Sequence, residues 1–193
     1  MLGLGQYIDP VYDGSYYVST PDYMAAVTSV NFSHQGASHV TIPATGSIAA
    51  GSYYSYLRIT GVSRGADTIV ANIASPFHSP ATAVVQVDSG RIDTFGNWPG
   101  ASMHVGDSVL VTLTTHDPSS TTRRVLNNES FSVTGLASLE IHKANAVVTS
   151  VTVPADGTFV QFYLKAVAAG TGTATFSNAN YKTYSPPNVT VIP

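Results

Sequence analysis

From residue 107 to 115 the chain reads DSVLVTLTT, with Val109, Val111 and Leu113 on one side of a two-residue period and Thr112 and Thr114 on the other. Such alternation predicts a half-buried strand. Residues 159–167 repeat it, with Val160, Phe162, Leu164 and Ala166 inward and Phe159, Gln161 and Tyr163 outward. Residues 147–153 alternate and stop at Pro154. Shorter candidates follow at 130–133, 139–141, 173–177 (Ala174 and Phe176 inward) and 188–192 (Val189 and Val191 inward). Turn formers stand between them: Asp117-Pro118-Ser119-Ser120, Asp156-Gly157, Gly170 and Gly172. About seven short strands in roughly 105 residues, with no helix-period face, predict a two-sheet β-sandwich.

The pattern occurs twice. An offset of 105 carries Ile48 onto Val153, Leu57 onto Phe162, Ile59 onto Leu164, Gly65 onto Gly170 and Ala71 onto Phe176. With one residue deleted it carries Phe77 onto Tyr181, Val85 onto Val189 and Val87 onto Val191. In the first copy Ser55, Leu57, Ile59 and Gly61 take the places of Val160, Phe162, Leu164 and Ala166. Gln35-Gly36-Ala37-Ser38 resembles Gly135-Leu136-Ala137-Ser138. A repeat of about a hundred residues is one small domain long. The expectation is an all-β chain of two tandem domains, 1–88 and 89–193, divided at Asp88-Ser89-Gly90. A linker that short favours an extended arrangement. Residues 1–29 do not show the second copy's opening pattern. They carry five tyrosines (Tyr7, Tyr12, Tyr16, Tyr17, Tyr23) among Pro10, Gly14 and Pro21. If the first copy lacks its opening strands, its sheet edge is open to strand addition, within the domain or from a neighbour.

The runs VTVPADGT (151–158), AVAAGTGTATF (166–176), Tyr181 and Val189-Thr190-Val191, with the opening Met103-His104-Val105-Gly106-Asp107-Ser108, resemble the bacterial immunoglobulin-like repeats, group 2, of invasin- and intimin-type adhesins. The resemblance covers residues 91–193, and 30–87 less fully. It implies immunoglobulin-like sandwiches that serve as spacer or adhesion modules on a bacterial or phage surface. Fold alone does not carry function across.

Composition narrows the chemistry. Charged residues are 10% of the chain, against roughly 25% in an average domain. The net charge is −3, with Arg123-Arg124 the only basic pair, so the basic stripe that tracks nucleic-acid phosphates is missing. The absence of cysteine excludes disulfides, Cys-ligated zinc and thiol catalysis. No apolar run is long enough to span a membrane as a helix, and an export signal, if used, would have been removed or lie upstream. The expected location is extracellular or on a cell or phage surface.

No constellation of an enzyme is legible, and the chain is read as non-catalytic. No serine sits in Gly-x-Ser-x-Gly, the two glutamates, Glu129 and Glu140, form no catalytic pair, and Gly170-Thr171-Gly172-Thr173 is a hairpin turn without the lysine of a phosphate loop. His34 and His39, five apart, are expected on opposite faces of one strand. His104, His116 and His142 are scattered, so no metal site is assigned. No cofactor is expected. Calcium at the junction would use Asp88 and Asp93, with Asp67 or Asp156 reaching in from a turn, but the six to eight oxygens it requires are not in view. Exposed aromatics are the remaining chemistry. Tyr54 and Tyr56 are expected outward beside Tyr53, Tyr163 outward in the second copy, and Trp98 in the turn 96–100. Such rings stack on sugars or anchor protein interfaces. The candidate partners are therefore a protein or glycan on a surface, or further copies of this chain. The candidate roles are spacer or adhesion module, subunit assembled by strand addition through residues 1–29, or carbohydrate-binding module.

Overall fold

The computed structural model describes residues 1–13, 16–75, 78–94, 96, 98–100 and 102–193. Among them the regular structure is all strand, and the chain divides into two compact units, Met1–Asp88 and Ser89–Pro193. Each is a two-layered β-sandwich of immunoglobulin-like form.

In the second unit one layer has the order Arg91–Asp93, Ser108–His116, Phe159–Ala166, Leu139–Lys143, Ala146–Val148. The other begins with Ser102–His104, parallel to Val189–Ile192, which pairs with Gly170–Gly172. It continues through Thr175–Ser177 and Glu129–Thr134 to Ser150–Val153. The predicted strand at 147–153 is thus two, broken at Thr149, one piece in each layer. Alternation fixes which side chains enter the core: Val160, Phe162, Leu164 and Ala166 are buried, while Phe159, Gln161 and Tyr163 face out. Phe131, Phe162, Phe176 and Tyr181 fill the centre with aromatic rings.

The first unit repeats this plan. Its larger layer runs Leu2–Gly3, Ala81–Asp88, Gly65–Ile73, Thr28–Gln35, Thr45–Ile48. The facing layer contains Gln6–Ile8, Ile59–Gly61 and Val40–Thr41, with Tyr17–Ser19 paired to Tyr54–Tyr56. Ile48, Leu57, Ile59, Val85 and Val87 are buried at the positions of Val153, Phe162, Leu164, Val189 and Val191. Phe77, matched above to Tyr181, lies outside the described residues.

The opening of the first copy corrects the sequence reading, because residues 2–8 do reproduce the second copy's start. Leu2 pairs with Val87 in parallel, as Met103 pairs with Val191. The Leu4 amide donates to the Asp88 carbonyl at 2.9 Å, as Val105 does to Ile192 at 2.9 Å. Gly5 and Gly106 both take positive φ, 72° and 98°, where glycine carries no Cβ penalty. Their amides donate to Gly61 and Ala166. Gln6 Oε1 accepts the Gly3 amide at 3.0 Å, and Asp107 Oδ2 accepts that of His104 at 2.7 Å. The match was hidden because the offset here is 101, and Gln stands for Asp. The loop before the next strand also shifts: pairing sets Val40 against Leu139, so Gly36, rather than Gln35, matches Gly135.

Two strands differ between the copies. Phe159–Ala166 is continuous, whereas its counterpart is broken into Tyr54–Tyr56 and Ile59–Gly61. The cause is an insertion in the strand opposite. Ile8 corresponds to Val109 at an offset of 101, but Tyr17 corresponds to Thr112 at 95, so six extra residues intervene. Asp9 folds residues 9–13 into a tight turn: its Oδ1 accepts the Val11 amide, its carbonyl accepts the Asp13 amide, and Asp13 Oδ2 accepts the Asp9 amide.

Candidate functional site

The strand that follows the insertion, Tyr17–Ser19, lays a tyrosine edge against Tyr54–Tyr56. Tyr17 lies opposite Tyr56, and Ser19 opposite Tyr54. Beyond them the Thr20 amide donates to Tyr53 O and the Met24 amide to Ser52 O, which brings Tyr23 onto Tyr53. Five rings gather on the outer surface: Tyr17, Tyr23, Tyr53, Tyr54 and Tyr56, all between 37% and 70% exposed. Their centroids stand 5.1–6.4 Å apart at interplanar angles of 70–85°. Edge-to-face packing of this kind is favourable and holds the rings in fixed orientations. Four of them line an open cleft of about 280 Å3. Sequence reasoning placed Tyr54 and Tyr56 outward. It missed Tyr17, because the pairing across the insertion leaves no local signal.

The remaining aromatic candidates do not join this patch. Tyr163 and Phe159 face out from the second unit, with Leu110 opposite Tyr163. Trp98 is half-buried: it packs edge-on against Phe176, and its indole N–H donates to Pro187 O at 2.8 Å. That makes it a lid on the second core rather than an open stacking platform. Its neighbour Asn97 lies outside the described residues.

The acids considered for calcium have other partners. Asp67 is buried in the strand Gly65–Ile73, not in a turn. Its carboxylate accepts the His39 and Val40 amides at 2.8 and 3.0 Å and lies 3.0 Å from His34 Nδ1. Burial alone would raise its pKa, but the His34 contact and the two amides outweigh it and hold it below the ordinary 3.8. His34 is the last residue but one of Thr28–Gln35 and His39 directly precedes Val40–Thr41, so they do not share a strand as expected. His39 Nδ1 instead meets Ser63 Oγ at 2.9 Å. Asp93 Oδ2 lies 3.1 Å from His116 Nε2, the Asp88 carbonyl receives the Leu4 amide, and Asp156 sits at positive φ in its turn. Among the described residues no group of three or more His, Cys, Asp or Glu is placed to hold a metal ion. No helix long and apolar enough to cross a membrane occurs among them.

A second buried carboxylate, Asp117, organises the loop after Ser108–His116. It accepts the Ser119 amide and hydroxyl, the Thr121 amide and Arg123 Nε. Here too burial pushes the pKa up and the hydrogen bonds prevail, leaving it below 3.8.

No protein-family model matches the chain, and no curated protein matches it. Among solved structures it is similar to domains 4 and 5 of the S-layer protein SbsC, at 14% identity over 90% of this chain and 75% of that one, with a TM-score of 0.39. The D0-D1 domain of intimin is similar at 13% identity over 94% and 92%, with a TM-score of 0.34. A β-glucuronidase of glycoside hydrolase family 2 is similar at 14% identity and a TM-score of 0.40, over the whole of this chain but 19% of that enzyme. Superpositions this loose carry no argument about function.

Proposed function

We propose that this chain is a non-catalytic structural and adhesion module of a bacterial or phage surface, built from two repeats of the bacterial immunoglobulin-like type. In this reading the second repeat is the plain form and the first carries the contact surface. The observation that supports it is the five-tyrosine patch. It lies on strands that follow and face the insertion in the first repeat, and it leaves amphipathic rings in water that a neighbouring strand or core could have covered. Tyrosines of fixed orientation give large contact area at low entropic cost, as protein interfaces use them. Their steep mutual angles leave no common plane for a run of sugar rings, so a protein surface is the favoured partner.

The test is retention of the labelled chain on protein-coated and polysaccharide-coated surfaces, for the native sequence and for Tyr54→Ala/Tyr56→Ala. The expected result is retention on protein, reduced roughly tenfold or more by the double substitution, with the fold unchanged by circular dichroism. Retention on polysaccharide alone would establish the carbohydrate-binding reading instead. Equal retention of both sequences would remove the patch from the account.

A further inference from the structure

A buried carboxylate, a histidine and a serine stand in line on the first sandwich. Asp67 is fully buried, and both of its oxygens face His34 Nδ1, at 3.0 and 3.1 Å. Its Oδ2 also accepts the amides of His39 and Val40, which fixes the carboxylate in place. With Nδ1–H donated to Asp67, the free lone pair of the ring is on Nε2. That nitrogen lies 3.5 Å from Ser38 Oγ. The serine is exposed, and the His34 side chain is 26% exposed. Ser38 Oγ also reaches Val40 O at 3.1 Å, and rotation of the hydroxyl turns its hydrogen from one acceptor to the other. Contacts of this kind are loose before a substrate binds and tighten with it.

This arrangement is no part of the repeat. The offset of 105 puts Gly172 at the place of Asp67, and Leu139 fills the space beside it: a Cβ on Gly172 would fall 2.8 Å from Leu139 Cδ1. There the Leu139 amide donates to Leu136 O, whereas that of Val40 is taken by Asp67. A sandwich of this plan therefore folds without the carboxylate. Ser63 offers an internal comparison. Its Oγ lies 2.9 Å from His39 Nδ1, closer than Ser38 lies to His34, but among the described residues no carboxylate contacts the His39 ring.

We propose that Ser38 is an acylation site, with His34 as its general base and Asp67 as the positioning residue. The substrate class is an activated ester of a carboxylic acid. Ser38 Oγ attacks the carbonyl carbon as its proton passes to His34 Nε2. The bond from that carbon to the leaving oxygen breaks, and His34 returns the proton to the departing alcohol. Serine and ester thus become acyl-serine and alcohol, with no change of oxidation state. Asp67 keeps Nε2 aimed at the serine and stabilises the imidazolium formed in passing. The Ser38 amide, which no acceptor takes among the described residues, is free to donate to the oxyanion. The chain is itself the product of this single transfer, so the site goes beyond the structural reading without displacing it. It shares no residue with the tyrosine patch.

The probe is 4-nitrophenyl acetate with the full chain at neutral pH, the acetyl group being placed by peptide mass spectrometry. The expected result is acetylation of Ser38 roughly a hundredfold faster than that of Ser63. His34→Ala should lower labelling of Ser38 roughly a hundredfold with the circular dichroism unchanged. Free imidazole should then restore the preference for Ser38 over Ser63, a response that a merely structural histidine would not give. Asp67→Asn should also slow the labelling, and His34→Ala decides the matter if that variant fails to fold. Equal labelling of Ser38 and Ser63, labelling of Ser38 undiminished in His34→Ala, or a loss that imidazole does not reverse would overturn the proposal. So would release of nitrophenol by Ser38→Ala at the native rate, which would make another group the nucleophile.

Discussion

Asp67 and Asp117 are the two described carboxylates whose native setting holds them below the usual 3.8. Each has a folded pKa lower than its unfolded one. Their stabilisation is therefore complete above the unfolded value and is lost as pH falls through the folded values. Stability should be level from neutral pH to about 5 and decline from about 4 downward. Asp67→Asn should cost about 1–3 kcal/mol at pH 7, since its new amide cannot accept from two backbone N–H groups and His34 together. It should also flatten the acid limb of a urea-midpoint-against-pH series; an unchanged acid limb would remove Asp67 from the account. Asp117→Ala withdraws the carboxylate facing the buried Arg123 and should cost about 3–5 kcal/mol. Gly65 and Gly170 offer a paired test. Both have φ near 145°, and an added Cβ would fall 2.4 Å from His39 Nε2 and 2.6 Å from Ser138 Oγ respectively. Valine at either position should destabilise its own unit by about 1–3 kcal/mol, read by chemical denaturation.

At the scale of elements the strands Leu2–Gly3 and Gln6–Ile8 matter most to the first unit. Leu2 and Ile8 are fully buried in its core. Deleting residues 1–8 should unfold this unit while leaving the amide spectrum of the second in place; a folded first unit after the deletion would contradict the assignment of its opening strands. Phe162→Ala should cost about 3–5 kcal/mol, as expected for emptying an aromatic core position. Much of this was legible from period two alone. The inward set of Phe159–Ala166 and the turns at Asp156-Gly157 and Gly170 stand where alternation and turn chemistry put them. The opening of the first copy was not legible, since the repeat there survives as Leu-x-Leu-Gly-Gln against Met-x-Val-Gly-Asp, at an offset the rest of the chain does not share. The break at residues 57–58 was hidden for a related reason. Leu57 and Ile59 keep their inward alternation across it, so the pattern gives no sign that the pairing partners change. Tyr17 needed the three-dimensional pairing before it could be counted in the patch.

At the scale of the whole molecule one module has been used in two forms. The second core holds Phe131, Phe162, Phe176 and Tyr181, whereas among the described residues the first unit buries Phe32 in its core cluster and Tyr7 outside it. Less apolar area leaves the water there, and stability follows that area. The first unit should therefore unfold at the lower urea concentration, with tyrosine signals of its patch moving before the Trp98 signal of the second unit. The copy with the richer aromatic core has the uninterrupted strands, and the other carries the insertion and the exposed tyrosines.

Amide hydrogen exchange on the intact chain tests this division most directly. The account predicts slow exchange at Leu4 and Gly5, matching Val105 and Gly106, because each pair closes the same two hydrogen bonds. It predicts fast exchange at Tyr17 and Ser19 beside a protected Val18. Fast exchange at Leu4 and Gly5 would mean that the first copy does not complete its own sandwich, and slow exchange at Tyr17 and Ser19 would mean that its edge is already covered.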